Sequence, residues 1–269
     1  MGEILAYPFM QRALIAAVII GPLCAFLGVF VILRQMAFFS DAIAHAALTG
    51  IALGLLLQIH PMAVLVVFSL LVAAAIVFTS ERTTLPQDTV IGVYFSGALA
   101  FGVLVLNAME GYPIDLFAFL FGDILVVGPL DLFIMAALAI GVVAVVMSRL
   151  RVFVLLTLSP DLARAEGLPV RAYHYIFVGL LALVVTAGLK IVGVILVSAL
   201  IVIPAAAARN LAQTFSAMLA LSAALGLASS LAGVVTSFHF DTPTGPTIVM
   251  VSIAIFAASC LWPQRVARA

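Results

Sequence analysis

This sequence of 269 residues is 66% hydrophobic and only 8% charged. A soluble domain usually carries about 25% charged residues because its surface requires them, so the composition excludes an ordinary soluble fold. The formal net charge is zero, with 11 Lys plus Arg against 11 Asp plus Glu, which argues against a nucleic-acid partner. We therefore expect an all-α, multi-pass protein of the cell (inner) membrane, surrounded by lipid.

Nine apolar segments are long enough to cross a bilayer, because a helix rises about 1.5 Å per residue and the hydrocarbon is about 30 Å thick. Charged or turn-forming residues separate them. The predicted spans are about 10–33, 38–57, 61–79, 89–107, 130–148, 172–189, 191–208, 212–237 and 246–262. The short apolar segment 116–127 is predicted to be interfacial or re-entrant rather than a tenth span.

The basic residues predict the orientation, because Lys and Arg stay on the cytoplasmic side of a membrane. With the C-terminal Arg265 and Arg268 inside, nine of the 11 basic residues fall on the cytoplasmic side. Only Arg12 and Lys190 fall near the outer face. The loop 149–171 is then cytoplasmic, and the N-terminus lies outside.

The cytoplasmic loop carries the signals of a short helix over about 160–166. Ser159 is suited to cap it, Pro160 to its first position and Asp161 to the positive end of its dipole. Gly167 is typical of a helix stop. The segment is either an ordinary connection or the helix with which an ATP-driven transporter contacts its ATPase.

One predicted span carries two ionisable side chains, Asp41 and His45. They are four residues apart, so on a helix they share one face with Cβ atoms about 5–6 Å apart. An ionisable group in hydrocarbon costs about 2.5–3.5 kcal/mol on insertion scales and usually marks function. A carboxylate oxygen and an imidazole nitrogen suit Zn²⁺ or Mn²⁺.

Three interpretations of this pair remain open at the level of the residues: a metal site on an ion path, a structural hydrogen-bonded pair, and a proton relay. One pair supplies two ligands, whereas a closed zinc site takes about four. A twofold homodimer would supply two carboxylates and two imidazoles across its axis.

A second candidate site lies in the predicted external loop 238–246, where His239 and Asp241 are two residues apart. They either meet a cation at the mouth of the path or are solvated loop residues, with Asp241 or Thr244 starting the last helix. Asp123 follows the short apolar segment on the outer side and either caps a helix or lines an entrance.

The sequence lacks the G-x-x-x-x-G-K-[ST] phosphate loop, so this chain is not expected to be an enzyme and ATP hydrolysis is expected on a separate subunit. An intramembrane metalloprotease would require a second histidine, as in H-E-x-x-H, and the sequence contains no such motif. A proton-coupled metal carrier is a further alternative, and it would need neither an ATPase partner nor a coupling helix.

Four segments, in this order, resemble the metal-ion permeases of ABC importers, which carry zinc, manganese or iron(II). The resemblance covers nearly the whole chain. The segments are Leu33-Arg34-Gln35-Met36-Ala37 running into Ser40 to Gly50, Ser159 to Gly167, Val192 to Arg209, and Asp241 to Pro246.

The resemblance implies one ABC-importer transmembrane domain over 1–269, with eight or nine spans. Its fold would be similar in outline to the vitamin B12 and siderophore permeases. A cytoplasmic coupling segment would cover about 151–171. The resemblance also implies that Asp41 and His45 lie on the ion path. The implied ATPase-coupling residues are Pro160, Asp161, Leu162, Ala163 and Gly167. We expect the small and apolar side chains of Leu162, Ala163 and Ala165 to dock in a groove of the ATPase.

The same resemblance implies the partners. They are a second copy of the permease (sometimes a different subunit), two cytoplasmic ATPase subunits and an extracytoplasmic metal-binding protein. The metal would be cargo rather than a permanently bound cofactor, with zinc slightly favoured over manganese. A siderophore or corrinoid permease is the alternative within the same transport class.

Overall fold

The computed structural model describes residues 7–108 and 127–261, and all regular structure in these ranges is α-helix. Nine of the described helices are long and apolar enough to cross a membrane, which confirms the predicted all-α, polytopic fold. The helices are α1 (Pro8–Leu33), α2 (Phe39–Leu56), α3 (Pro61–Ser80), α4 (Gln87–Asn107), α5 (Pro129–Ser148), α6 (Leu150–Leu158), α7 (Pro160–Ala165), α8 (Val170–Val192), α9 (Val194–Leu211), α10 (Phe215–Phe240) and α11 (Thr244–Leu261).

The described residues group into two compact units. The first lies within 1–32, 117–139 and 191–269, and the second lies within 33–116 and 140–190. The expectation of one domain over 1–269 stays a prediction. The segment 116–127, expected to be interfacial, falls outside the described residues except for its last residue.

In the first unit, glycine and serine let α1 approach its neighbours closely. A Cβ added at Gly28 would meet the backbone oxygen of Ile201 in α9. Ser222 of α10 donates a hydrogen bond of 2.6 Å to the backbone oxygen of Ala25. Small residues and interhelical hydrogen bonds hold helices together in lipid, where the hydrophobic effect supplies no attraction between them.

In the second unit, α2 packs against α3 and α4. A Cβ added at Gly50 would lie 2.7 Å from the Cα atom of Leu65 in α3, and one added at Gly102 of α4 would lie 2.6 Å from Oγ1 of Thr49. The small residues of α2 therefore serve close packing. Those that are buried are Ser40, Ala42, Ala44, Ala46, Ala47, Thr49, Gly50, Ala52 and Gly54.

Candidate ion path and coupling segment

Asp41 and His45 lie in the first two turns of α2, and both are half-buried. The Nδ1 atom of His45 lies 3.0 Å from the backbone oxygen of Asp41. A carbonyl oxygen only accepts hydrogen bonds, so Nδ1 carries the proton and the lone pair of the neutral ring lies on Nε2. A backbone partner on one ring nitrogen is the usual way in which a metal-binding histidine is oriented.

Phe95 of α4 packs against the His45 ring, with the ring centroids 4.6 Å apart and an interplanar angle of 58°. The ring contact and the hydrogen bond to Asp41 together restrict the imidazole. This role of Phe95 is not predictable from the sequence, because an aromatic residue inside an apolar span is ordinary.

Asp88, in the first turn of α4, joins α4 to the start of α2. Its carboxylate lies at the backbone amides of Ala37 and Phe38, while its buried Oδ1 atom has no hydrogen-bond partner among the described residues. A carboxylate at these amides satisfies donors near a helix start, as a capping residue does. Asp88 is not among the site residues predicted above, although its position at the start of a predicted span is a signal that could have indicated it.

The part of the chain that the structure describes contains no group of three or more His, Cys, Asp and Glu side chains suited to hold a metal ion. As metal ligands, Asp41 and His45 would supply only two from one described chain. A complete coordination sphere would need further ligands, such as water or a second copy.

The candidate mouth residues lie in the other unit, where α10 meets α11. Nδ1 of the exposed His239 lies 2.9 Å from the backbone oxygen of Val235. Asp241 ends α10 with a φ of 50°. Thr244 begins α11, and it is one of the two residues predicted to start the last helix. Asp123 lies outside the described residues.

The predicted helix of the coupling segment is present as α7, which begins at Pro160. Asp161 lies in its first turn and forms an ion pair of 2.9 Å with Arg164. The prediction that Ser159 caps this helix through its side chain is wrong, since Ser159 occupies the cap position but its hydroxyl makes no cap hydrogen bond. The proline at the first position is sufficient to start the helix, because it needs no amide partner.

Gly167 ends α7 with a φ of +74°, a conformation that glycine adopts at low cost. The amides of Gly167 and Leu168 donate to the backbone oxygens of Arg164 and Ala163, at 3.0 and 3.1 Å. These two bonds form a Schellman motif, and they confirm the predicted stop.

The expected docking face needs one correction. Ala163 is fully buried within the chain, whereas Leu162 is 50% exposed and Ala165 is also exposed. Leu162 and Ala165 are three residues apart and share one face of the helix, whereas Ala163 is one and two residues from them and points elsewhere. Ala163 therefore packs inward, and the accessible apolar surface belongs to Leu162 and Ala165.

Arg34 follows the last residue of α1 and contacts the helices on both sides of the coupling segment. Its Nε atom donates a hydrogen bond of 2.9 Å to Oγ1 of Thr157. Its Nη2 atom donates one of 3.5 Å to the backbone oxygen of Phe153. Its guanidinium lies 4.3 Å from the ring centroid of Phe177. Burial lowers the pKa of Arg34 to about 10, so the group remains charged at neutral pH.

A cavity of about 510 Å³ adjoins Arg34, and we call it the Arg34 cavity. Its lining includes Glu81 and Gln87 from the α3–α4 connection, and Thr157, Pro160 and His174 around the coupling segment. The positive-inside rule assigned all these connections to the cytoplasmic side, and the structure brings them to one place. The side of the membrane itself stays a prediction.

The sequence model of the ABC 3 transport family matches residues 6–262. The manganese transport system membrane protein MntC of Halalkalibacterium halodurans is 35% identical over 263 residues, which are 98% of this chain and 90% of that protein. The high-affinity zinc uptake system membrane protein ZnuB of Haemophilus influenzae is 34% identical over 263 residues, which are 96% of this chain and 99% of that protein.

A solved structure is similar over the same length. It is PsaBC from Streptococcus pneumoniae in complex with Fab, which superposes with a TM-score of 0.84 at 32% identity. The superposition covers 98% of this chain and 95% of that chain. Sequence and fold therefore agree on one family.

Proposed function

Because this chain belongs to the ABC 3 transport family and is a metal-ion permease subunit of the cell membrane rather than an enzyme, we propose that it moves zinc or manganese into the cytoplasm. The observation that carries this proposal is the Asp41/His45 pair. The Nδ1 proton of His45 is held by the Asp41 backbone oxygen, and this leaves Nε2 for a cation beside a carboxylate on the same helix face.

The same pair supports a dimer. A second copy would place two carboxylates and two imidazoles around a twofold axis, enough for a tetrahedral cation. A permease must also release its cargo, so such a site would be weak or complete in only one conformation. No permanently bound cofactor is part of this proposal.

The other proposed partners are cytoplasmic ATPase subunits and an extracytoplasmic metal-binding protein. ATP hydrolysis takes place on the separate subunits. Leu162 and Ala165 on α7 offer these subunits an exposed apolar contact. Pro160, Asp161 and Gly167 set where this helix begins and ends.

The two ligand types of the pair do not favour the same metal. Imidazole favours zinc, and the oxygen ligand is also accepted by manganese. The relatives are named for both metals. We place zinc first because a neutral imidazole with a fixed tautomer is the better-defined ligand here. The siderophore or corrinoid alternative receives less support, because a bulky chelate needs no ionisable pair on one helix face.

The test is uptake of each metal separately by a deletion strain in which the whole operon is restored. Asp41→Asn keeps the shape of the side chain and removes its charge, and His45→Ala removes the nitrogen ligand. We expect both variants to insert and assemble with the ATPase but to lose uptake per assembled complex. His60→Ala is the control, since His60 is exposed and precedes α3.

A structural role for the pair predicts a different result: low abundance with normal uptake per assembled complex. Uptake by Asp41→Asn at the wild-type rate per complex would remove the pair from the ion path. A proton-coupled carrier would transport without the ATPase subunits, so uptake that persists after their deletion would overturn the importer assignment.

A further inference from the structure

Arg34 connects the helix that carries the candidate ion pair to the segment expected to contact the ATPase. It stands five residues before the start of α2 at Phe39, which is followed by Asp41. Its hydrogen-bond partners Phe153 and Thr157 lie on α6, and a single residue, Ser159, separates the end of α6 from the start of α7 at Pro160.

The contacts of Arg34 are specific and buried. The Thr157 hydroxyl accepts from Nε of Arg34 at 2.9 Å and donates to the backbone oxygen of Phe153 at 2.7 Å, so both of its hydrogen-bonding functions are used. Phe153 and Phe177 are fully buried, and the cation lies over the Phe177 ring. A planar guanidinium suits a site that combines directed hydrogen bonds with stacking, and lysine does not.

We propose that Arg34 is a positioning residue that transmits movement of the coupling segment to the Asp41/His45 helix. This inference rests on the proposed function, because it assigns to Arg34 the link between the ATPase contact and the ion pair. Rigid docking of α7 on an ATPase would move α6 with it, since α6 and α7 pack together. The Thr157–Arg34 hydrogen bond would carry that movement to the start of α2.

The Arg34 cavity supplies the space for such a movement. Most of a protein interior is too densely packed to deform, so elements move as units where there is room. The cavity of about 510 Å³ is lined by Arg34 together with Thr157 and Pro160 of the coupling region. Because Phe153 lies on α6, a shift of α6 and α7 into this space would carry Phe153 along and change its ring contact with Phe177.

The start of α2 also meets Asp88 of α4, whose carboxylate lies at the amides of Ala37 and Phe38. With α4 holding these amides, a displacement at Arg34 tilts the first turns of α2 instead of translating the whole helix. Asp41 and His45 lie in those turns, so their position relative to a second copy would change with the state of the ATPase.

The experiment uses the permease with its ATPase subunits and binding protein in lipid vesicles, and it measures metal transported per ATP hydrolysed for zinc and for manganese. The variants are Thr157→Val, which keeps the shape and removes the hydroxyl, and Arg34→Gln. We expect metal moved per ATP to fall about tenfold in each, within the usual range for coupling between two sites, while ATP hydrolysis and assembled yield remain.

Two comparisons make the result specific. In the double variant Arg34→Gln with Thr157→Val, the two losses should not add, because both remove the same contact. Arg82→Gln is the matched control, since Arg82 also lies over an aromatic ring, that of Phe78 at 4.2 Å, but forms no hydrogen bond or ion pair with α6 among the described residues. It should leave the ratio of metal to ATP unchanged.

The outcomes separate the two proposals. Wild-type vesicles that hydrolyse ATP but move neither metal would refute the proposed function. A different result would be that the wild type transports metal and that Thr157→Val and Arg34→Gln keep the wild-type ratio of metal moved to ATP hydrolysed. This result would overturn the linking role of Arg34 and leave the proposed function intact. A fall in assembled yield with an unchanged ratio would show that Arg34 serves only folding, and this also overturns the inference.

Discussion

The hydroxyl of Thr49 donates a hydrogen bond of 2.9 Å to the backbone oxygen of Ala98, and this bond joins α2 to α4 one turn beyond His45. Glycine at position 102 makes the contact possible, because a Cβ there would lie 2.6 Å from Oγ1 of Thr49. The face of α2 that carries the candidate ion pair is thus fixed against α4 by a close helix crossing.

The first prediction concerns this crossing. Gly102→Ala should destabilise the protein by about 1–3 kcal/mol, the usual cost of overpacking. Adding Thr49→Ala should recover part of the loss, because the remaining Cβ of residue 49 lies at an ordinary contact distance of 3.6 Å. The measurement is the midpoint of thermal unfolding in detergent for the two single variants and the double variant.

Gly97→Ala serves as the control for this prediction. It lies on the same helix, and an added Cβ there meets nothing within 4 Å. An equal loss of stability in Gly97→Ala and Gly102→Ala would show that helix propensity or lipid contact, rather than the crossing with Thr49, governs the effect.

A second prediction concerns the crossing of α1 and α9. Gly28→Ala places a Cβ on the backbone oxygen of Ile201, and a backbone atom cannot rotate away as a side chain can. We therefore expect a loss of assembled protein that no substitution at position 201 restores. Gly141→Ala, where nothing lies within 4 Å, should assemble normally. Normal yield of Gly28→Ala in a detergent extract would contradict the close approach.

The third prediction is the orientation. Nine of the 11 basic residues were assigned to one side, so Asp161 should be cytoplasmic and Thr242 external, and both are exposed. In a background without Cys24 and Cys260, Thr242→Cys should react with an impermeant thiol reagent in intact cells. Asp161→Cys should react only after the cells are opened. Labelling of Asp161→Cys from outside would reverse the orientation.

The fourth prediction concerns the ATPase contact. Leu162 is 50% exposed on α7, so Leu162→Arg should weaken assembly with the ATPase by about 2 kcal/mol, as loss of an apolar anchor at an interface does, while membrane insertion continues. Co-purification of the ATPase subunits at graded detergent and salt concentrations measures this effect.

Leu85→Arg is the matched control for Leu162→Arg, because Leu85 is 52% exposed in the α3–α4 connection and lies outside the coupling segment. Ala163→Arg should instead lower the amount of folded permease, since Ala163 is fully buried. Normal ATPase recovery with Leu162→Arg would exclude this face of α7 as the contact.

The sequence by itself was sufficient for features that depend on neighbouring residues. Apolar length identified nine spans, and the structure has nine helices of that kind in the described residues. The start of α7 at Pro160 and its stop before Gly167 also followed from local signals. These features are predictable because hydrophobic thickness and backbone turn preferences act over a few residues.

The tertiary structure alone decided which faces and partners those helices have. Spacing put Asp41 and His45 on one face, but only packing showed that Phe95 restricts the ring and that Ala163 faces inward. The hydrogen bond between Arg34 and Thr157 joins residues 123 positions apart. In a sequence that is 66% hydrophobic, nearly every helix face is apolar, so hydrophobic pattern cannot select one neighbour, and close contacts between small and polar groups make the selection instead.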